Sequence, residues 1–290
     1  MNTREIYLKW YPEYNAFGIK DDVIANLESQ EIVPIISLNK QDYEIFDFTY
    51  PEDDAALIGF LCCREEGTYT VDFNYVKALV QTGKKLRFMT YKQNIAQMKD
   101  IDGLMLPGGR FESPATFYTD PLKISGEPGD RSYAYITSII EAERRKLPIF
   151  GVCAGAQMIG GMHGLKLYRD VKEYTKTDLE HKTPVLDAHD ITIYPDTPLY
   201  SLLGDKLVNV NSRHKEAIVN NDSASDLKIY AVATDGIPEA WGNENKKILC
   251  IQWHPEDFAA LGNQNMQNLY DWLGNEAQQY KANKKSDNKL

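Results

Sequence analysis

Cysteine is scarce in this chain, and long hydrophobic runs are missing. Cysteine occupies four of the 290 positions, namely 62, 63, 153 and 250, which is too few and too uneven for a disulfide framework. No apolar run reaches the length that spans a bilayer, and the N-terminal residues lack the apolar core of a signal peptide. These absences predict a soluble cytoplasmic protein with no membrane partner. We interpret Cys62 and Cys63 as buried thiols, with a reactive vicinal pair as the alternative.

Positive charge is also in short supply. The chain has 32 lysines and arginines against 42 aspartates and glutamates, which gives a formal net charge of -10. Binding to a phosphate backbone needs a clustered basic surface, so the composition argues against nucleic acid as a partner. A hydrophobic content of 43% suits one large α/β domain with a well-buried core.

Short apolar runs alternate with segments of helical periodicity along the chain. The runs that predict strands are 31–38, 85–89, 103–106 and 247–252, and the segments that predict helices are 74–82, 93–98 and 133–144. This alternation is typical of a parallel sheet with crossover helices. Ligands of such sheets bind at the carboxyl ends of the strands.

The stretch Pro148–Gln157, PIFGVCAGAQ, has the spacing of a nucleophile elbow. Cys153 follows a short apolar strand and precedes residues that can begin a helix, and Gly151 and Gly155 flank it. A side chain on so sharp a turn needs small neighbours because the backbone passes close to itself. The positive end of the helix dipole would favour the thiolate of Cys153. An ordinary buried cysteine between two packing glycines is the alternative when this motif is considered alone.

Three further segments decide between these interpretations. They read IDGLMLPGG over 101–109, VNVNSRHKEAI over 208–218 and IQWHPE over 251–256. Together with the elbow, their order resembles the class I glutamine amidotransferase superfamily over roughly residues 70–275, and within it the γ-glutamyl-γ-aminobutyrate hydrolase branch. The resemblance implies a flavodoxin-like α/β fold, which is a three-layer αβα sandwich with a mainly parallel central sheet.

The third of these segments completes a set of catalytic residues. A cysteine nucleophile needs a proton shuttle, and the shuttle needs an acceptor that fixes its tautomer. His254 and Glu256 fit these roles beside Cys153. Because they are two residues apart on what we expect to be an extended segment, their side chains should project to the same side.

The resemblance also implies which residues bind the substrate. The N–H groups of Gly109 and Ala154 would form the oxyanion hole. The residues assigned to substrate binding are Gly108, Gln157, Ser212 and His214. Considered without the neighbouring motifs, Ser212 and His214 would be interpreted as a turn-stabilising serine and a surface histidine.

Several positions depart from the pattern of the hydrolase branch. Ala154 replaces an arginine, Phe111 replaces an aspartate, and Lys215 and Glu216 replace a His-Gln pair. The catalytic set is therefore intact while the pocket is altered. The leaving group need not be γ-aminobutyrate.

The remaining segments are assigned outside the catalytic chemistry. Residues 1–30, with aromatic Tyr7, Trp10, Tyr11 and Tyr14, are interpreted as a peripheral segment, with a lid or an oligomer contact as alternatives. Residues 31–275 form the catalytic domain, and 276–290 are expected to be a disordered tail. His163 is interpreted as structural. The spacing of His181, Asp187, His189 and Asp190 matches no known metal site, so a solvated loop is favoured. No metal ion or other cofactor is implied.

The function that follows is hydrolysis of the γ-glutamyl amide bond of a small γ-glutamyl amine through a cysteine thioester. The expected partner is this small-molecule substrate, and a homo-oligomer is left open. Two alternatives remain, namely a glutaminase subunit that hands ammonia to a separate synthase and a non-catalytic binding or regulatory protein. The intact Cys-His-Glu set argues against the non-catalytic protein.

Overall fold

Apolar strands and amphipathic helices build a large mixed α/β structure. The computed structural model describes residues 2–110, 112–124, 126–176, 178–219 and 225–287. Its strands are β1 (Thr3–Tyr7), β2 (Lys9–Tyr11), β3 (Ala16–Lys20), β4 (Val33–Ser37), β5 (Leu57–Leu61), β6 (Cys63–Glu65), β7 (Thr68–Asp72), β8 (Lys85–Met89), β9 (Gly103–Leu106), β10 (Ile149–Val152), β11 (Leu167–Tyr168), β12 (His189–Ile193), β13 (Leu207–Val210), β14 (Ala217–Ile218), β15 (Lys228–Ala233), β16 (Pro238–Asn243) and β17 (Ile248–Ile251).

The helices alternate with these strands. They are α1 (Asp21–Ser29), α2 (Lys40–Ile45), α3 (Phe73–Gln81), α4 (Asn94–Gln97), α5 (Asp130–Arg145), α6 (Ala154–Met162), α7 (Val171–Thr175), α8 (Pro198–Leu203), α9 (Pro255–Ala260) and α10 (Gln264–Asp287), with short 3₁₀ turns at Pro12–Tyr14, Ala115–Phe117 and Pro121–Lys123. Among the described residues, no helix is both long enough and apolar enough to cross a bilayer.

The main sheet has a parallel centre and an antiparallel side. Within the described residues its strand order is β1-β4-β8-β5-β9-β10-β17-β16-β15-β12-β13. From β8 to β17 all neighbours run parallel, whereas β16, β15, β12 and β13 pair antiparallel. Strands β9, β10 and β17 are completely buried. Such strands are covered on both faces, which explains their continuous apolar sequences.

Helices cover the two faces of this sheet. One layer contains α3, α9 and α10, which pack against one another, and the other contains α4, α5 and α6. The result is the expected three-layer αβα sandwich with a mainly parallel central sheet. The carboxyl ends of the adjacent strands β9, β10 and β17 lead directly to Pro107, Cys153 and Gln252, so the predicted motifs share one edge.

The predicted strands and helices agree with the structure to within about three residues at each end. The predicted strands 85–89 and 103–106 coincide with β8 and β9. The strand predicted around Pro34 is β4, which lies one strand inside the edge. Its ladder to β8 is a single pair, Ile36 with Phe88, and this leaves room for a proline that cannot donate a hydrogen bond.

The N-terminal segment takes part in two sheets. Strand β1 pairs parallel with β4 at the edge of the main sheet. Strands β2 and β3 join β7 and β6 in a separate four-stranded sheet. Trp10 packs against Phe17, Phe46 and Phe73. Residues 2–30 therefore contribute strands and core contacts, which their irregular hydrophobic pattern does not reveal.

The prediction of a disordered tail over 276–290 is wrong as far as Asp287, because α10 continues to that residue. The carbonyl oxygen of the Gln278 side chain accepts a hydrogen bond from the N–H of Ala56, and Lys281 Nζ donates to the Ala55 carbonyl oxygen. These bonds and the packing of Tyr280 against the core attach a polar helix to the domain. Residues 288–290 lie outside the described residues.

Candidate active site

Cys153 lies on a strained turn between β10 and α6. Its backbone has φ 50° and ψ −113°, and a positive φ is uncommon for a residue other than glycine. A Cβ at Gly151 would lie 2.9 Å from the backbone nitrogen of Ala156, and one at Gly155 would lie 2.3 Å from the carbonyl oxygen of Leu106. Both glycines are thus required by close backbone contacts, and the predicted elbow geometry is present.

Main-chain hydrogen bonds hold this turn in place. The N–H of Cys153 donates to the Ile251 carbonyl oxygen at 2.7 Å, and the N–H of Gln157 donates to the Cys153 carbonyl oxygen at 2.9 Å. Cys153 is 8% exposed. Because Ala154 is the first residue of α6, its N–H has no partner in a preceding helical turn.

His254 and Glu256 form a close pair after β17. His254 Nδ1 lies 2.6 Å from Glu256 Oε1, and the Tyr270 hydroxyl donates to the other carboxylate oxygen at 3.2 Å. Since a carboxylate only accepts, Nδ1 carries the proton and Nε2 of a neutral ring keeps its lone pair. The expected extended segment is wrong, because Glu256 lies in the first turn of α9 and His254 is its N-cap.

The surroundings of His254 favour its charged form. Burial alone lowers the pKa of His254, but the Glu256 carboxylate and the hydrogen-bonding Cys153 thiol raise it, and the resulting pKa lies well above the ordinary value. An imidazolium at this position stabilises a thiolate beside it. The pair is therefore suited to nucleophilic acyl transfer.

Asn211 is a positioning residue that the sequence reasoning missed. Its Oδ1 accepts a hydrogen bond from the His254 N–H at 2.8 Å, and its Nδ2 donates to the His254 carbonyl oxygen at 3.0 Å. Nδ2 also donates to Asp257 Oδ2. The available signal was the asparagine of the VNS segment, of which only the S-x-H part was considered.

The turn after β9 lies against both Cys153 and His254. A Cβ at Gly108 would lie 2.9 Å from His254 Cε1 and 3.0 Å from Cys153 Cβ. The N–H of Gly108 donates to the Tyr75 hydroxyl oxygen at 3.1 Å. Gly109 has φ 133°, and a Cβ there would lie 2.5 Å from the guanidinium nitrogens of Arg131. Arg131 Nη2 also donates to the Gly108 carbonyl oxygen at 2.6 Å, so this turn is rigidly held.

The residues assigned to substrate binding have different surroundings. Gln157 Nε2 donates to the Glu216 carbonyl oxygen at 2.7 Å and to Gln252 Oε1 at 3.0 Å. The Ser212 hydroxyl is buried and donates to a backbone carbonyl oxygen. His214 is buried as well, and its Nδ1 lies 2.9 Å from the Glu216 carbonyl oxygen. Direct contact of Ser212 and His214 with substrate stays a prediction, and Phe111 lies outside the described residues.

A cavity of about 620 Å³ adjoins the turn after β9. Its lining includes two tyrosines, three carboxylates and a thiol, namely Tyr11, Tyr14, Glu65, Glu66, Asp72 and Cys63. Cys63 Sγ lies 3.6 Å from the Gly108 carbonyl oxygen and 3.3 Å from Arg131 Nη2. Cys62 is buried as predicted. Cys63 is partly exposed because its side chain lines this cavity.

The solvated loop predicted around residues 181–190 is wrong for its two histidines. Asp187 and Asp190 are exposed, but His181 and His189 are buried near Glu239. His189 is buried because it is the first residue of β12, which pairs with β13 in the main sheet. The sequence did not predict that Glu239 would join these histidines. His163 contacts Asp226 and Glu143 at the end of α6, away from this group.

Comparisons with known proteins give one matching family model and several similar chains. A family model described as Peptidase C26 matches residues 58–256. Protein NtpR of Enterococcus hirae is 34% identical over 185 residues, which are 61% of this chain and 76% of the relative. The γ-glutamyl-γ-aminobutyrate hydrolase PuuD of Escherichia coli is 26% identical over 220 residues, which are 69% of this chain and 85% of the relative.

A solved structure shares the fold. It is the crystal structure of a candidate GMP synthase subunit from Thermoplasma acidophilum. The two chains superpose with a TM-score of 0.57 at 17% identity, and the match covers 79% of this chain and 98% of the other. At this identity the likeness concerns the fold alone.

Proposed function

Because this chain belongs to the peptidase C26 family, we propose that it hydrolyses the γ-glutamyl amide bond of a small γ-glutamyl amine, with Cys153 as the nucleophile. The observation that carries the proposal is the pair His254–Glu256, joined at 2.6 Å beside a cysteine on a strained elbow. A cysteine that only packs in the core needs neither an adjacent His–Glu pair nor a strained backbone.

The reaction we propose has two halves. His254 Nε2 takes the proton from Cys153 Sγ, and Sγ attacks the γ-carbonyl carbon of the substrate. The C–N bond then breaks, His254 gives its proton to the departing amine nitrogen, and a thioester remains on Cys153. Water attacks the thioester and gives a proton to His254, the C–S bond breaks, and His254 returns the proton to Sγ as glutamate leaves.

The oxyanion that forms in each half needs two donors. We assign these donors to the N–H groups of Ala154 and Gly109. Ala154 opens α6, where the N–H points out of the helix, while the neighbouring N–H of Gly108 is already bonded to Tyr75. One such donor stabilises a transition state by about 3 to 4 kcal/mol.

The glutamyl half of the substrate is assigned to the side of Cys153 where Gln157 contacts Glu216. Gln157 and the turn at Gly108 flank Cys153, and Ser212 and His214 lie on the segment that Gln157 contacts through Glu216. We propose that Gln157 and Gly108 contact the substrate directly and that Ser212 and His214 shape this wall.

The amine half is proposed to enter the cavity beside Gly108. Its lining includes Glu65, Glu66 and Asp72 together with Tyr11 and Tyr14. Three carboxylates would repel the carboxylate of γ-aminobutyrate, whereas tyrosine faces and carboxylates attract a cation. We therefore propose that the leaving amine carries a positive charge at its far end.

A second candidate is a glutaminase subunit. Similarity to the glutamine-hydrolysing GMP synthase of Petrotoga mobilis, 31% identical over 171 residues, supports it, because the same site would release ammonia from glutamine. Such a subunit should hydrolyse glutamine poorly alone and faster with its synthase. A non-catalytic role is disfavoured by the assembled Cys153 and His254, and a homo-oligomer stays a prediction.

The test is glutamate release from glutamine, γ-glutamyl-γ-aminobutyrate and a series of γ-glutamyl diamines. We expect fastest turnover with a diamine, loss of turnover in Cys153→Ala and retention in Cys250→Ala, a matched change at a buried thiol in β17. Fast turnover of γ-glutamyl-γ-aminobutyrate alone would overturn the assignment of the amine half. No release from any compound by the folded chain would overturn the stand-alone hydrolase.

A further inference from the structure

Four buried side chains converge in a cluster outside the site described above. His181, His189 and His214 are 3%, 5% and 4% exposed, and Glu239 of β16 is 0% exposed. The His181 ring lies 5.0 Å from the His189 ring and 5.0 Å from the His214 ring, measured between centroids. Burial of a carboxylate among three imidazoles is costly unless every polar atom finds a partner.

In each of the three rings, the nitrogen that points away from Glu239 lies near a carboxylate or carbonyl oxygen. His181 Nε2 lies 3.0 Å from Asp235 Oδ2, and His214 Nδ1 lies 2.9 Å from the Glu216 carbonyl oxygen. His189 Nδ1 lies 3.4 Å from the Asp190 carbonyl oxygen. Because carboxylate and carbonyl oxygens only accept, these three nitrogens carry the protons.

The inward-facing nitrogens of the neutral rings therefore present lone pairs to Glu239. Among the described residues, none of these three nitrogens has a hydrogen-bond partner, and neither oxygen of the Glu239 carboxylate has one. With all three rings neutral, the centre of the cluster contains acceptors that face acceptors. A cation resolves this conflict, either as a proton on one ring or as a metal ion that the side chains share.

The spacing of these atoms fits a single small ion. Glu239 Oε1 lies 3.4 Å from His181 Nδ1, 3.6 Å from His189 Nε2 and 3.3 Å from His214 Nε2. In a tetrahedral zinc site with bonds of roughly 2.0–2.2 Å, neighbouring ligand atoms lie about 3.3–3.6 Å apart. The ligand atoms of His181, His189 and Glu239 all lie within 4.8 Å of one another, and this group does not include His214, which is close to Glu239 Oε1.

We propose that His181, His189 and Glu239 bind one divalent transition-metal ion, Zn²⁺ by the chemistry of the donor set, with a water in the fourth position. Imidazole is a common ligand of zinc, copper, iron and nickel ions, whereas Mg²⁺ and Ca²⁺ require oxygen ligands. The acceptors behind the His181 and His189 rings are the outer partners that orient histidines at metal sites and fix their tautomers. Asp235 is itself oriented by the Ile237 N–H, which donates to Oδ1.

The ion would brace the wall of the active site without entering the reaction. His214 and Gln157 both bond to the carbonyl oxygen of Glu216, and the Ser212 hydroxyl and the His214 N–H both donate to the His181 carbonyl oxygen. Metal binding would therefore fix residues 211–218 against the first turn of α6. It explains why Ser212 and His214 are buried in a segment that sequence resemblance assigned to substrate.

The test measures metal binding by the full chain, purified without a histidine tag. The chain is stripped with a chelator, dialysed and titrated with Zn²⁺ against a chromophoric competitor, and its unfolding temperature is followed. Elemental analysis then counts the bound ion, and Co²⁺ substitution reports four-coordinate geometry by its visible absorption. We expect one ion per chain, a rise in the unfolding temperature on adding Zn²⁺, and a Co²⁺ spectrum of a tetrahedral site.

Four variants localise the ion. His189→Ala and Glu239→Gln should lose stoichiometric binding, while His163→Ala, at a histidine outside the cluster that contacts Asp226 and Glu143, should keep it. Asp235→Asn keeps all three protein ligands and should weaken binding by roughly 10- to 100-fold, which tests the site even if the ligand variants fail to fold. The proposal is overturned if the wild-type chain binds no Zn²⁺, or if Asp235→Asn binds it unchanged.

Discussion

At the scale of single residues, the site depends on where protons and lone pairs lie. Glu256 fixes the proton of His254 on Nδ1 and so leaves Nε2 free to act as base. Tyr270 holds the second oxygen of the carboxylate. The orientation of the imidazole thus depends on the contacts of Glu256 and Tyr270.

Glu256→Gln tests this dependence. The amide has nearly the same shape, but its NH₂ group can donate to Nδ1 and favour the wrong tautomer, so we expect kcat to fall by roughly a thousand- to ten-thousand-fold. Steady-state kinetics with the best γ-glutamyl substrate measure this loss. Glu141→Gln, which removes an exposed partner of Arg144, is the control and should leave kcat unchanged. A Glu256→Gln enzyme within threefold of wild type would contradict the role of the carboxylate.

Gly108→Ala tests the close contact at the turn. Its Cβ would meet His254 Cε1 at 2.9 Å and Cys153 Cβ at 3.0 Å, so these side chains must move apart. A misplacement of about 1 Å at a catalytic group costs roughly a hundredfold in rate, and we expect a loss of this size in kcat/KM. Gly129→Ala is the matched control, since a Cβ there has no heavy atom of a described residue within 4 Å. Equal activity of both variants would show that the turn tolerates the methyl group.

At the scale of secondary-structure elements, loops from different parts of the sheet hold one another. Asn211, in the segment after β13, bonds to both main-chain groups of His254 at the start of α9. α10 in turn packs against α9, α3 and β9. The position of His254 therefore depends on contacts between elements that are far apart in sequence.

Asn211→Ala should loosen this connection. We expect kcat to fall by between about tenfold and a hundredfold with little change in KM, because His254 shifts while the binding wall stays. Asn209→Ala is the control, since its side chain bonds to exposed Asp190 on the neighbouring strand β12. A change confined to KM, with kcat intact, would argue that Asn211 acts on substrate binding instead.

Removal of residues 278–290 tests whether the end of α10 is part of the fold. The truncated chain loses the bonds of Gln278 and Lys281 to Ala56 and Ala55 and the packing of Tyr280. We expect an unfolding temperature several degrees lower, at roughly 2–4 °C for each kcal/mol lost. Scanning calorimetry measures the shift, and removal of 288–290 alone serves as the control. An unchanged unfolding temperature would support the disordered tail that the polar composition predicts.

At the scale of the whole molecule, the parallel centre of the main sheet could be predicted from the sequence, whereas the N-terminal strands and the end of α10 could not. Strands β8, β9, β10 and β17 are continuous apolar runs, and the motifs at their ends must share an edge of the sheet. The N-terminal strands and the end of α10 are polar on their exposed faces, so their local composition does not predict regular secondary structure. The cluster around Glu239 joins residues up to 58 positions apart, counted from His181, and only the fold brings them together.

Labelling by a diazoketone analogue of glutamine, followed by peptide mapping, tests whether Cys153 is the nucleophile. We predict a single label on Cys153, protection by γ-glutamyl substrates, and no label in Cys153→Ala. Cys63, partly exposed beside the cavity, is the competing thiol, and Cys63→Ser should keep the label. Labelling of Cys63 in place of Cys153, or of neither while glutamate is still released, would contradict Cys153 as the nucleophile.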